Sequence, residues 1–170
     1  MDRGAADPAE IAGAQIVTQE SVRRTSSIEI DPGVRGWLER RLDEMRPAIE
    51  QALHRPLGQR EGVGLLRYRA GGFYRPHRDR GTVAGWPAAA RRAASVVVFL
   101  NGSRTNGPAG GEIGEFDGGL LRLCPDSAET PVDITPSAGL LVAFPAEVLH
   151  EVLPVRTGTR DAAVDWFYEG

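Results

Sequence analysis

The sequence predicts a mainly β fold with a helical N-terminal third, and three observations predict it. Apolar residues recur at helical spacing from Val34 to Leu53. Short runs of β character fill the chain beyond residue 60. Glycine (21 residues) and proline (12) are spread among those runs with no fixed period, which suits many turns rather than a low-complexity linker.

Taken in order, Asp31-Pro32 marks a helix start, a capping carboxylate followed by proline at the first helical position. Val34, Trp37, Leu38, Leu42, Met45, Ile49 and Leu53 then line one face, either of one helix or of two helices broken near Pro47. That face reads as packing surface. Strands are predicted over residues 64–68, 95–100, 119–123, 139–144, 147–152 and 162–168. Their connections are too short or too glycine-rich for crossover helices. The strands should therefore pair antiparallel in a sandwich or barrel, with the N-terminal helices covering one sheet. Residues 101–118 form the one long irregular connection, a lid or a disordered segment.

A chain of 170 residues fits a single domain, with residues 1–60 as helical support and 61–170 as the core. The net charge of −3 gives no electrostatic footprint for nucleic acid or an anionic membrane. All 20 basic residues are arginine, which excludes lysine Schiff bases and P-loop chemistry. Cys124 has no disulfide partner and reads as a buried spectator in a reduced, cytoplasmic setting. No apolar run approaches the ~20 residues of a membrane span, and the start of the chain lacks a signal-peptide core, so a soluble protein is expected.

Two of the three histidines stand in suggestive contexts. His77 and Asp79 are two residues apart, so on extended backbone both side chains leave one face and can converge on one ion. A solvated turn would carry the same tripeptide. His150 lies in a predicted strand between alternating apolar residues, as a metal ligand or as a core histidine bonded to a carbonyl. Two histidines and one carboxylate leave three positions open on an octahedral ion, the facial arrangement suited to iron(II) and oxygen chemistry. Zinc more often takes a further histidine or cysteine. His54 has no partner at ligand spacing and reads as a surface residue. Arg160 follows a turn ten residues past His150, where a returning hairpin could aim its guanidinium at a carboxylate. An ordinary exposed arginine is the alternative.

The stretch Arg67-Tyr68-Arg69-Ala70-Gly71-Gly72-Phe73-Tyr74-Arg75-Pro76-His77-Arg78-Asp79, with His150 and Arg160, resembles the 2-oxoglutarate/Fe(II) dioxygenase superfamily in its prolyl 4-hydroxylase-like branch. Arg92 to Asn101 is similar to the family's strand after the metal-binding loop, and Asp117-Gly118-Gly119 to its glycine pair. The resemblance spans about residues 60–168. It implies a double-stranded β-helix, or jelly-roll, with N-terminal helices packed on the major sheet. It also implies Fe(II), 2-oxoglutarate and O2, with ascorbate as a possible reductant. His77, Asp79 and His150 match the iron ligands, Arg160 the basic residue for the distal carboxylate of 2-oxoglutarate, and Tyr68 a tyrosine bonded to that carboxylate. Tyr74, Arg92 and Trp166 match positions that face the substrate.

Two departures stand out. Leu120-Leu121 replaces the Glu-Thr that usually follows the glycine pair, and arginine replaces lysine at position 160. Retention of the carboxylate Asp79 favours hydroxylation over halogenation, since related halogenases carry a small residue there. The implied substrate is proline, another amino acid or a short peptidyl residue, and the implied assembly a monomer or homodimer. A noncatalytic jelly-roll binding module and a cupin-type isomerase or hydrolase are the alternatives.

Overall fold

The computed structural model describes residues 21–81, 87–104, 116–126 and 129–170 as two antiparallel sheets and one α-helix. The larger sheet takes β10 (Leu141–Pro145), β6 (Arg92–Phe99), β13 (Thr159–Glu169), β4 (Gly64–Arg69) and β2 (Ser26–Ile28) in that order, with β3 (Leu57–Arg60) also on β13. The smaller sheet runs β1 (Arg23–Arg24), β5 (Phe73–His77), β11 (Leu149–Val152), β8 (Leu121–Cys124) and β9 (Val132–Ile134). A short ribbon pairs β7 (Asp117–Gly118) with β12 (Val155–Thr157). Residues 23–28 thus give an edge strand to each sheet, which the reading of residues 1–60 as purely helical support did not anticipate.

The helix α1 (Pro32–Leu53) starts where the capping signal puts it, with Asp31 Oδ1 accepting from the amides of Gly33 and Val34. It runs unbroken through Pro47 and ends on His54, which adopts a left-handed conformation and is exposed, as expected. Leu38, Leu42 and Ile49 form one buried cluster with Ala94, Val96, Ala163 and Phe167 of the larger sheet and with Val63 just before β4. The predicted packing face was too broad. Val34, Trp37 and Met45 are 50%, 53% and 42% exposed: Trp37 lies one residue's rotation, roughly 100°, from Leu38 and so off the 38–42–49 line, whereas Met45 sits at the edge of that line and stays uncovered.

Alternation sorts the larger sheet into two faces. Ala163 and Phe167 of β13 meet the helix, while Ala162, with Val97 and Phe99 of β6, meets Leu121 and Phe144 in the interior between the sheets. Among the described residues every pairing between these strands is antiparallel, as the short connections required. Cys124 is half-buried at the end of β8 rather than fully buried. Most of the long connection, residues 105–115, lies outside the described residues, and with it the lid reading. Among the described residues, no helix is long and apolar enough to cross a membrane.

Candidate metal centre

His77 closes β5, and its aim depends on an irregularity in that strand. The β5–β11 register passes from Val152↔Tyr74 to His150↔His77, so three residues on one strand span two on the other. Such a bulge re-aims side chains. Pro76 falls inside it, where its missing N–H costs no ladder hydrogen bond. As a result Tyr74 and His77 share a face and stack, with ring centroids 3.5 Å apart. His150 arrives on the neighbouring strand as the direct partner of His77.

Asp79 is not on the strand. It sits two residues past β5 in a bend held by its own N–H and that of Arg80, both donating to the carbonyl of Ala146. The shared face expected of extended backbone is thus achieved by a pinned turn. The ligand-capable atoms of His77, Asp79 and His150 all lie within 4.8 Å of one another, the one such group among the described residues.

The protonation pattern follows from the hydrogen bonds. Each Nδ1 lies against a backbone carbonyl two residues back, His77 at 2.8 Å from Arg75 and His150 at 2.9 Å from Val148. A carbonyl only accepts, so each Nδ1 carries a proton, and a ring neutral in this tautomer presents Nε2 as a bare lone pair. Those lone pairs face the Asp79 carboxylate at 3.6 Å and 3.4 Å. Lone pairs aimed at an anion repel, and a cation between them removes the repulsion. The donor set therefore suits Fe(II), with two imidazoles, one carboxylate and open positions.

Electrostatics agree. Burial, and next the facing His150, depress His77 to about 4, against the pull of Asp79. Burial pushes Asp79 up, yet His150, His77, the Ser95 hydroxyl and the Trp166 side chain together hold it below the usual carboxylate range. The carboxylate is thus ionised and His77 neutral at neutral pH, the states a metal requires.

Ser95 was missed by the sequence reading. Its Oγ donates to Asp79 Oδ2 at 2.6 Å, and the residue is 1% exposed. The signal was available as a single hydroxyl inside the apolar run Ala93–Val98, since a buried polar group demands a partner. The Trp166 side chain helps keep the Asp79 carboxyl low, and the Arg92 guanidinium lies 3.8 Å over the Trp166 ring. Arg92 also forks onto Glu61 at 2.7 Å and 2.5 Å, a tie that sequence spacing could not indicate. Tyr74, Arg92 and Trp166 therefore all gather beside the cluster, each already engaged with a neighbour.

Arg160 lies inside β13, opposite Tyr68 of β4, and so shares its face. It is 2% exposed, with its guanidinium 4.9 Å from the Tyr68 ring and 5.1 Å from that of Phe99. Its Nε is buried with no hydrogen-bond partner among the described residues. Burial lowers its pKa from the usual arginine range, against Tyr68 and Asp161. A buried, unmatched guanidinium implies an anion that completes it. Gly119 makes room for this arginine. It has φ +64°, and a Cβ there would lie 2.9 Å from Arg160 Cδ. Tyr68, Phe116, Val152, Val155 and Tyr74 form one apolar cluster, so a continuous wall links Arg160 to His77. Leu121, which stands two residues past the glycine pair, packs into the interior with Phe99 and Phe144.

The chain is similar to known proteins. A curated PKHD-type hydroxylase from Synechococcus sp. strain JA-2-3B'a(2-13) is 32% identical over 99 residues, 58% of this chain and 39% of that protein. One from Nitrobacter winogradskyi is 32% identical over 102 residues, 59% and 40% of the two chains. The chain thus matches only about two-fifths of the length of these curated relatives. The crystal structure of a Pseudomonas putida prolyl-4-hydroxylase superposes with a TM-score of 0.68 at 31% identity, over 97% of this chain and 77% of that one. A prolyl hydroxylase from Trichoplax adhaerens, in complex with a hypoxia inducible factor oxygen degradation domain peptide fragment, shares the fold. Its TM-score is 0.66 at 20% identity, over 93% and 70% of the chains. The family model of the 2OG-Fe(II) oxygenase superfamily matches residues 63–168, and the chain belongs to that superfamily.

Proposed function

We propose that the chain is a 2-oxoglutarate- and Fe(II)-dependent hydroxylase in which His77, Asp79 and His150 hold the metal and Arg160 and Tyr68 receive the distal carboxylate of 2-oxoglutarate. The observation that carries this reading is the convergence of two imidazoles and one carboxylate, their ligand-capable atoms within 4.8 Å, with both Nδ1 atoms turned to backbone carbonyls. When bound, Fe(II) and 2-oxoglutarate supply the oxidising power, with O2, to hydroxylate an unactivated C–H bond while 2-oxoglutarate becomes succinate and CO2.

The chain's own residues orient and shield. The Arg75 and Val148 carbonyls fix both imidazole tautomers, and Ser95 and Trp166 fix the carboxylate. Arg160 offers a planar fork matched to a carboxylate, and its apolar surroundings exclude water that would weaken the pairing. Tyr74, Arg92 and Trp166 border the space that a substrate would enter, the last two as one stacked unit. The two facing sheets are the walls of a double-stranded β-helix, formed within a single domain. A substrate built on proline, another amino acid or a peptidyl residue is supported by likeness to a Pseudomonas putida prolyl-4-hydroxylase and to a Trichoplax adhaerens enzyme held with a peptide.

The test is succinate formation with Fe(II), ascorbate and 2-oxoglutarate, with and without candidate substrates. We expect 2-oxoglutarate-dependent succinate that disappears in Asp79→Ala. A noncatalytic binding module or a cupin-type hydrolase makes none, and full activity in Asp79→Ala overturns the ligand assignment.

A further inference from the structure

Most arginines near the site are matched. Arg60, Arg67, Arg92 and Arg122 each bond carboxylates through their guanidinium forks. Arg23 is not. Among the described residues its buried Nε has no hydrogen-bond partner, and no carboxylate pairs with it.

The sheet register fixes where this cation points. Arg23 pairs with Tyr74 across β1–β5, so both side chains leave the same face. The guanidinium carbon lies 4.7 Å from the Tyr74 ring centroid, and that ring stacks on His77 at 3.5 Å. Arg23 therefore stands two ring contacts from the metal cluster. Arg24 and Arg75 instead flank Phe73 on the opposite face of the same strands and do not look into the site.

The chemistry is specific. A guanidinium stacked on an aromatic ring uses its face for the ring and keeps its edge N–H groups for an in-plane acceptor. One fork matches one carboxylate. A half-buried cation with an orphaned N–H is a standing cost, which the arrival of an anion removes. Tyr74 can only assist as a neutral phenol, because burial pushes its hydroxyl up to about 12.

We infer that Arg23 is the receptor for a carboxylate on the substrate, so that the hydroxylated molecule is an acid: a free amino acid or a chain ending in a free carboxylate. This rests on the oxygenase reading and narrows it. An internal peptide residue carries no such group and would leave Arg23 unmatched.

Two measurements test it. In protein loaded with Zn(II) and saturating 2-oxoglutarate, the arginine Nε–Hε NMR cross-peaks are followed during titration with acetate, acetamide and methyl phosphate. We expect the Arg23 peak to move with acetate and not with acetamide. No movement with acetate, or tighter binding of methyl phosphate than of acetate, overturns the proposal. The oxygenase reading is checked separately in the same sample, where 2-oxoglutarate must shift the Arg160 peak. The second measurement compares succinate release stimulated by free amino acids and by short peptides, each as the acid and as its carboxamide. We expect the acids to lead by roughly 10- to 100-fold in kcat/KM, and Arg23→Gln to erase that preference. Activity from the free amino acids or from the terminal-carboxylate peptides identifies the source. Equal use of acids and amides, or a preference that survives Arg23→Gln, refutes the assignment even where succinate is made.

Discussion

Removing the Ser95 hydroxyl isolates what holds the Asp79 carboxylate in place. The Ser95→Ala change deletes one oxygen from a site that is 1% exposed, so no water takes over the 2.6 Å bond to Asp79 Oδ2. A hydrogen bond to a charged group contributes about 1.5–3 kcal/mol, and roughly 1.4 kcal/mol is tenfold in affinity. Loss of an outer partner that orients a metal ligand lowers metal affinity by about 10- to 100-fold. We therefore expect the Kd for Fe(II) to rise by that factor in anaerobic calorimetry, with the circular dichroism spectrum of the metal-free protein unchanged. Ser95→Thr keeps the hydroxyl on a strand that tolerates β-branching, and should recover most of the affinity. An Ala variant that binds Fe(II) as tightly as the parent would falsify the role given to Ser95.

Gly119→Ala places a Cβ at φ +64°, 2.9 Å from Arg160 Cδ and 3.1 Å from both Phe116 and Val155. Left-handed backbone costs a non-glycine residue about 1–2 kcal/mol and overpacking about 1–3 kcal/mol more. Urea unfolding should show that loss, and succinate assays a raised KM for 2-oxoglutarate; an unchanged KM would separate Gly119 from Arg160. In the metal-free protein His77 is held at about 4, so it stays neutral where an unfolded histidine already takes a proton. The unfolded chain thus binds the extra proton between about pH 6.5 and pH 4, and stability falls as the pH falls through that window. One proton bound only by the unfolded chain costs about 1.4 kcal/mol for every pH unit crossed, so the full effect is on the order of 3 kcal/mol. Urea midpoints at several pH values should fall less steeply in His77→Gln than in the parent, and equal slopes would refute this account.

Local rules wrote a good part of this protein into its sequence. The Asp31-Pro32 cap, the 38–42–49 stripe and the apolar β runs of β4, β6, β10 and β13 follow from neighbours within a few residues, so they are legible without a fold. The candidate ligands His77, Asp79 and His150, which the fold brings together, stood out because histidine is scarce and His-x-Asp is compact, whereas Arg160 stood out only by its distance from His150. Short strands such as β1, β2 and β9 were not, since two or three residues carry no periodic signal and exist only through their partners.

Tertiary structure decided the rest. Packing, not periodicity, left Met45 outside the core. The β5 bulge turned Tyr74 and His77 onto one face where simple alternation would have separated them, and the bend at Ala146, not strand spacing, delivered Asp79. Ser95, Glu61 and Arg23 gained their meaning from residues 16, 31 and 51 positions away. A side chain's type fixes what it can bond, and that much is local. Which partner it meets depends on register between strands far apart in the chain, and only the folded sheets set that register.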